Sequence, residues 1–314
     1  MPEPAAPPSG NGPHRVLVVG DLLVDVVVVP DGGLRPGSDT AATIRSGGGG
    51  SAANTAAWLA WSGRSVSLLA AVGDDPLGTS ARSELAAHGV EHLGPVLLGA
   101  RTGACVVVVD PAGERTMLPD RGANDLLGAE LTGVLLDDAG LPLGQVGWVH
   151  LSGYTLLHPG SRAAGELVVS RARDAGVGLS VDAASAGPIR DLGGGTFLDL
   201  ARGAAVLFAN EAELDALGGP DAVLGSVGAL ITKRGEAGAS WTDGHEVLDV
   251  RAKPVEVVDT TGAGDAFAAG FLAAWLSGTT VRNALEGGAI RAAEAVSRPG
   301  GRPHGGDPSP SAGS

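Results

Sequence analysis

The stretch Asp259-Thr-Thr-Gly-Ala-Gly-Asp265, running directly into Ala-Phe-Ala-Ala-Gly-Phe-Leu-Ala-Ala-Trp-Leu, gathers into one turn the residue types that phosphoryl chemistry requires. The run after Asp265 is rich in helix formers, and Gly262, Ala263 and Gly264 are small enough to leave the first backbone N–H groups of that helix bare. Bare amides at the positive end of a helix dipole form a site for an anion, most naturally a phosphoryl group. Asp265 falls in the first turn, where a carboxylate either caps the helix or acts as a base beside the phosphate. In-line transfer needs a group to take a hydroxyl proton and fixed dipoles for the charge on the transferring oxygens. The motif alone leaves capping and catalysis balanced; donors and base sharing one turn favour catalysis.

A second constellation is Gly47-Gly-Gly-Gly-Ser-Ala-Ala-Asn54, which opens a predicted helix over 52–61. Small residues let a ligand approach the backbone, and Asn54 offers both a donor and an acceptor to hydroxyls. With 52 glycines in the chain, such a run also reads as a flexible linker; its place between a suspected flap and a helix favours a site. Other chemistries lack their residues. There is no G-x-x-x-x-G-K-[ST], no G-x-S-x-G, and the first strand, 16–19, runs into Gly20-Asp21-Leu22 rather than into G-x-G-x-x-G. The histidines, at 14, 88, 92, 150, 158, 245 and 304, show no zinc spacing and read as solvated helix-end residues. Cys105, alone in the chain, lies in the apolar run 104–109 and reads as a buried small hydrophobe. It can form no intramolecular disulfide, which points to a reducing, cytoplasmic setting.

The elements that must position these residues alternate along the chain. Short apolar strands over 16–19, 66–70, 146–151, 177–181, 205–208 and 229–232 are separated by helical stretches over 52–61, 79–87 and 162–175, from 211, and from 264. Continuous apolar strands alternating with helices predict an α/β protein with a doubly wound, mostly parallel sheet flanked by helices. Two segments break the rhythm: 24–29 followed by 31–46, and 102–120, where 104–110 and 115–118 flank Pro-Ala-Gly-Glu like a hairpin. They read as a small β-sheet flap over the substrate or, alternatively, as an edge hairpin of the main sheet. The expected division is a core of 14–24, 48–100 and 121–300, a β lid of 25–47 and 101–120, and disordered tails at 1–13 and 301–314.

Composition narrows the function classes. At 314 residues and 44% hydrophobic, the chain has ample material for a core in one large or two modest domains. A net charge of −14 argues against a nucleic-acid partner. The longest uncharged apolar stretch, 266–276, is too short to cross a bilayer, so no membrane association is expected.

Taken in order, the motifs resemble the ribokinase-like, or PfkB, carbohydrate kinases. They are Gly20-Asp21 with Asp25, Gly49-Gly-Ser-Ala-Ala-Asn54, Val72-Gly-Asp-Asp-Pro-Leu-Gly78, Thr102-Gly103 and Gly113-Glu-Arg-Thr. Gly122-Ala-Asn124, Asn210-Glu-Ala-Glu213, Gly235-Glu-Ala-Gly238 and the 259–265 motif complete the set, which covers about 15–303. The resemblance implies a ribokinase-like fold with a β-sheet lid and phosphorylation of an alcohol by ATP with Mg²⁺. It implies Asp265 as catalytic base, with Gly262, Ala263 and Gly264 as anion hole, and Asp25, Gly49, Gly50 and Asn54 on the substrate side. Asn210 and Glu213 match a pair that helps to position magnesium and phosphates; Lys233, Gly235 and Gly238 match the nucleotide-side loop. Asp259 and Thr261 lie where some members bind a monovalent cation such as K⁺. Departures at Lys233, where ribokinases often have Thr, at Ser51, where they commonly have Lys, and near Ala289, which lacks an adenine-side Asn, tell against ribose as the substrate. Arg121 reads as a surface arginine, with contact to a substrate acid or phosphate as the alternative.

The leading expectation is a kinase acting on a small sugar or sugar derivative. A nucleoside kinase of the same fold is the alternative, disfavoured by only ten aromatic residues for base stacking. A non-catalytic binding module of this fold sits poorly with an intact Asp265, Gly262 and Gly264. A homodimer through the lid is also expected, since Val26–Val29 near an edge would gain from cover.

Overall fold

The computed structural model describes residues 15–137 and 143–304. A nine-stranded sheet forms its centre. From one edge to the other the strands are Val247–Val250, Ala239–Thr242, Leu230–Lys233, Val206–Asn210, Gly178–Asp182, Val146–Ser152, Arg15–Val19, Ser65–Leu69 and Val90–His92. Pairing is parallel from Leu230–Lys233 onward and antiparallel for the two strands at the opposite edge. The chain starts at Arg15–Val19, builds outward on one side, then returns to Val146–Ser152 and builds outward on the other. That reversal makes the sheet doubly wound and opens a crevice at the carboxyl ends of the two central strands.

Why these strands lie inside is visible in their alternation. Val16 and Val18 join a core with the helices Ser51–Trp61, Ala263–Trp275 and Val281–Val296, while Leu17 and Val19 join a separate core on the opposite face. Each strand thus buries both faces, and all four residues are at most 1% exposed. Trp148, Phe208, Phe271 and Trp275 interlock in the first core, with the Trp148–Trp275 and Phe208–Phe271 rings meeting edge to face. Helix starts lie earlier than the apolar period suggests. The second helix begins at Pro76, capped by Asp75 accepting from Gly78 N–H at 2.8 Å, and the helix expected from 162 begins at Pro159.

The segments that break the rhythm form a separate four-stranded sheet, in the order Ala42–Gly49, Leu23–Pro30, Thr102–Val109, Arg115–Gly122. Thr102–Val109 and Arg115–Gly122 pair with each other as a hairpin and make no pairing with the large sheet, so the edge-hairpin alternative fails. Val26–Val29 are not near an edge either. Their strand is held on one side by Ala42–Gly49 and on the other by Thr102–Val109, so its backbone needs no partner chain. The N-terminal stretch expected to be a tail lies outside the described residues. At the other end 305–314 also lie outside the described residues, but the start of the expected tail is ordered: Gly301, Arg302 and Pro303 are buried, because Trp58 donates to Gly301 O at 2.9 Å and Arg302 donates to Gly49 O at 2.7 Å. Among the described residues no helix is long and apolar enough to cross a membrane.

Candidate active site

The crevice at the strand ends is a cavity of about 660 Å³. Asp182, Asn210 and Lys233 are the last residues of their strands, and Asp21 and Tyr154 lie closely after theirs; all five line it. The small sheet closes one side with Leu23, Asp25, Cys105, Arg115, Met117 and Pro119. Every residue singled out in the sequence as a site residue lines this cavity except Gly49 and Asp259, which stand directly behind its wall.

Two helices aim their N-termini into it. Gly262 takes a left-handed backbone (φ +72°) as the N-cap of Ala263–Trp275, and a Cβ there would come within 2.6 Å of Gly301. No side chain caps that helix, so its first amides face the cavity rather than a capping carboxylate. Asp265 serves a different partner from the cap the local sequence allowed. It accepts from Ser51 Oγ at 2.8 Å and Asn54 Nδ2 at 3.0 Å, both in the first turn of the Ser51–Trp61 helix. Gly50, at φ +92°, starts that helix against Asp21 O, which a Cβ would approach to 2.5 Å. Burial, reinforced by the Asp182 carboxylate, pushes the Asp265 carboxyl up to about 7, while the bonds from Asn54 and Ser51 pull it back.

On the side away from the small sheet, Lys233 Nζ donates to Asp182 Oδ2 at 2.6 Å. Burial works against the lysine's charge, yet Asp182 and Glu213 outweigh it and raise its pKa, so it stays an ammonium. A side chain at Gly264 would meet Lys233 Nζ at 3.1 Å, which sets the ammonium against the first turn of the Ala263–Trp275 helix. Asn210 and Glu213 form a reciprocal capping box: Glu213 N–H donates to Asn210 Oδ1 at 2.9 Å, and Asn210 N–H donates to Glu213 Oε2 at 2.8 Å. Gly235 and Gly238 line the cavity in the loop after Lys233.

On the side of the small sheet, Gly49 leaves room that the Asp25 carboxylate occupies; a Cβ there would lie 2.0 Å from Asp25 Oδ1. Burial pushes Asp25 up to about 6, and Arg302 draws it back. Arg302 also donates to Asn54 Oδ1 at 3.3 Å, so one guanidinium ties the strand and helix that flank the glycine run. Arg121 is not at the surface. At 7% exposed it sits 3.6 Å from Asp21 Oδ2 and donates to Asp125 Oδ1 at 2.8 Å, because these acids draw it inward. Asp21 Oδ1 is buried with no hydrogen-bond partner among the described residues. Cys105 is buried, and burial raises its thiol, as expected of a packing residue.

The histidines divide. His150 is buried at a strand centre, 2.9 Å from Ser180 Oγ, and burial lowers it to about 4; it is no helix-end residue. His92 lies at a strand end with Nε2 2.8 Å from Ala70 O. Sequence reasoning assigned no role to Asp182 or Arg302. An acid closing a predicted parallel strand was the available signal for Asp182; Arg302 sits among glycines and prolines with no pattern to mark it.

Fold and site together define a nucleotide-dependent phosphotransferase: a doubly wound sheet, two helix N-termini at its switch point, and a half-buried carboxylate between them. The model of the pfkB family carbohydrate kinases matches residues 13–305, and the chain belongs to that family, whose members move a phosphoryl group from ATP to the hydroxyl of a sugar. It is 37% identical over 282 residues to the ATP-dependent ribose-1-phosphate kinase of Halopiger xanaduensis, covering 87% of this chain and 88% of that one. It is 31% identical over 275 residues to the fructokinase of Klebsiella pneumoniae, covering 82% and 83%. The crystal structure of adenosine kinase from Sinorhizobium meliloti superposes with a TM-score of 0.80 at 27% identity, covering 93% of this chain and 96% of that one.

Proposed function

We propose that Asp265 takes the proton of a sugar hydroxyl while the amides of Gly262, Ala263 and Gly264 receive the charge of the transferring phosphoryl group. The observation that carries this reading is the position of Asp265. It is half-buried, shared between two helix N-termini, and held near neutrality, where a general base works best at physiological pH. Lys233, kept charged by Asp182, faces the same turn and adds positive charge where the phosphates would lie. Asn210, Glu213, Gly235 and Gly238 form the nucleotide side. Among the described residues no cluster of three or more His, Cys, Asp or Glu forms a metal cage, which suits Mg²⁺ entering with the nucleotide phosphates. Asp182 and Glu213 line the cavity and would supply the oxygen donors such an ion prefers. Bound there, Mg²⁺ would neutralise phosphate charge.

Asp25, Asn54 and the unpartnered Asp21 Oδ1 offer acceptors and a donor to the hydroxyls of a small sugar. The acceptor named for the Halopiger protein, ribose 1-phosphate, is the first to test, since that likeness runs through most of both chains. Pairing of two small sheets into a homodimer is supported by exposed Ile44, Met117 and Leu118 on strands of that sheet. A cytoplasmic setting fits a reaction that consumes ATP. The deciding experiment measures ADP release from Mg·ATP with ribose 1-phosphate, ribose, fructose, sugar acids and nucleosides, with Asp265→Asn in parallel. Turnover of a sugar that the variant loses supports the reading. Turnover of nucleosides alone replaces the acceptor, and equal turnover by the variant removes Asp265 as base.

A further inference from the structure

Arg115 opens the strand Arg115–Gly122 at the tip of the small sheet's hairpin, opposite Val109. From that tip its guanidinium crosses the mouth of the cavity to the loop ahead of the anion hole. Nη2 lies 2.7 Å from Asp259 Oδ1, and Nη1 donates to Thr260 Oγ1 at 3.0 Å. Thr261 N–H donates to the same Asp259 Oδ1 at 2.7 Å, and Gly300 N–H donates to Oδ2 at 3.0 Å. Both oxygens of Asp259 are therefore taken. The monovalent cation that Asp259 and Thr261 would be expected to hold does not fit: Asp259 is already neutralised by an ion pair, and the cation would face a fixed guanidinium.

We propose that Arg115, carried in by the small sheet, takes the place of a monovalent cation, fixing the 259–261 loop and with it the amides of 262–264. The inference rests on the reading of those amides as the anion hole. Arg115 is a positioning residue, acting through Asp259 and the backbone of Thr260 and Thr261. Because the ion pair exists only when the hairpin tip lies over the cavity, closing the small sheet and ordering the anion hole are one event. An alkali ion could order the same loop with the sheet open; a side chain on the sheet cannot.

The full-length protein is assayed with Mg·ATP and its sugar in K⁺, Na⁺ and tetramethylammonium chlorides at equal ionic strength. The wild type is expected to hold its kcat within about twofold across the three salts. Arg115→Ala is expected to lose about tenfold or more in kcat, the scale of a displaced donor set, with a smaller change in sugar KM. Added K⁺ or guanidinium should restore part of that loss, and Arg115→Lys should retain more activity than alanine. A wild type that needs K⁺ for about tenfold of its rate, or an alanine variant with unchanged kcat, overturns the proposal. Thermal unfolding without substrate gives a readout independent of the kinase reading. K⁺ should leave the wild-type midpoint unmoved and raise that of Arg115→Ala, and a K⁺-induced rise in the wild type overturns the proposal even if no sugar is turned over.

Discussion

The two sheets of this protein are built on opposite terms. The nine-stranded sheet is covered on both faces, its central residues Leu17, Val18 and Val19 are wholly buried, and aromatic rings interlock against it. The four-stranded sheet has a core of only Leu23, Cys105 and Val107, and Ile44, Met117 and Leu118 stand in the open. Yet both contribute walls to one cavity. The difference separates two duties: the large sheet sets Asp182, Asn210 and Lys233 on rigid strand ends, and the small one brings its wall to the same cavity on far fewer buried contacts. What the small sheet lacks in buried area it makes up with a few polar ties, among them Arg115 to Asp259 and Gly49 to Arg302.

The comparison breaks most sharply at Asp265. Asp265→Asn is expected to cut kcat by about 10²–10⁴-fold or more, since base and position are lost together. It should not weaken the fold. The raised carboxyl of Asp265 favours the folded state below about pH 4, and that contribution is lost as pH rises through about 7, so the neutral amide should raise the melting midpoint at pH 8 by ~2–4 °C. A fall in both kcat and midpoint would mean that Asp265 is structural.

Truncating one residue in each core sharpens the contrast in stability. Phe208→Ala should cost about 3–5 kcal/mol in denaturant unfolding. Val107→Ala in the small sheet should cost only about 1.5 kcal/mol, with its main effect on sugar KM. Equal costs would deny that the two sheets differ in tightness. Gly49→Ala probes the seam between them: the new methyl collides with the Asp25 carboxylate, so KM for the sugar should rise about tenfold while the KM for ATP and the midpoint stay put. Unchanged sugar affinity would remove Asp25 from the substrate side. The smallest effect is in pH. With the base at about 7, kcat/KM should fall about tenfold per unit below pH 7 and level off above it. A profile flat from pH 5 to 8 would assign the proton elsewhere.

The large sheet was legible in the sequence because buried parallel strands are continuous apolar runs, and each ran into a helix of ordinary composition. Asp265 and Gly262 were legible because one short motif holds both, and Asn54 because it ends a glycine run; that Asn54 donates to Asp265 was not. The illegible part is long-range. Lys233 reaches Asp182 across an intervening strand, and neither residue carries a local pattern that names the other. Arg121 looked like a surface residue because the acid that buries it, Asp21, lies about a hundred positions away. The tie that we propose in place of a cation at Asp259 is long-range as well, since only the folded hairpin brings Arg115 there.

The Gly301–Arg302 contacts carry a consequence for how the protein comes into being. Arg302 ties Gly49 to Asn54, and Gly301 closes over Trp58 and sits against Gly262. During synthesis the strands and helices emerge in order and can collapse as they appear. The Gly49–Asn54 wall of the cavity must wait until residue 302 has left the ribosome. A nascent chain can therefore own the strands and helices of its scaffold while that wall is still untied.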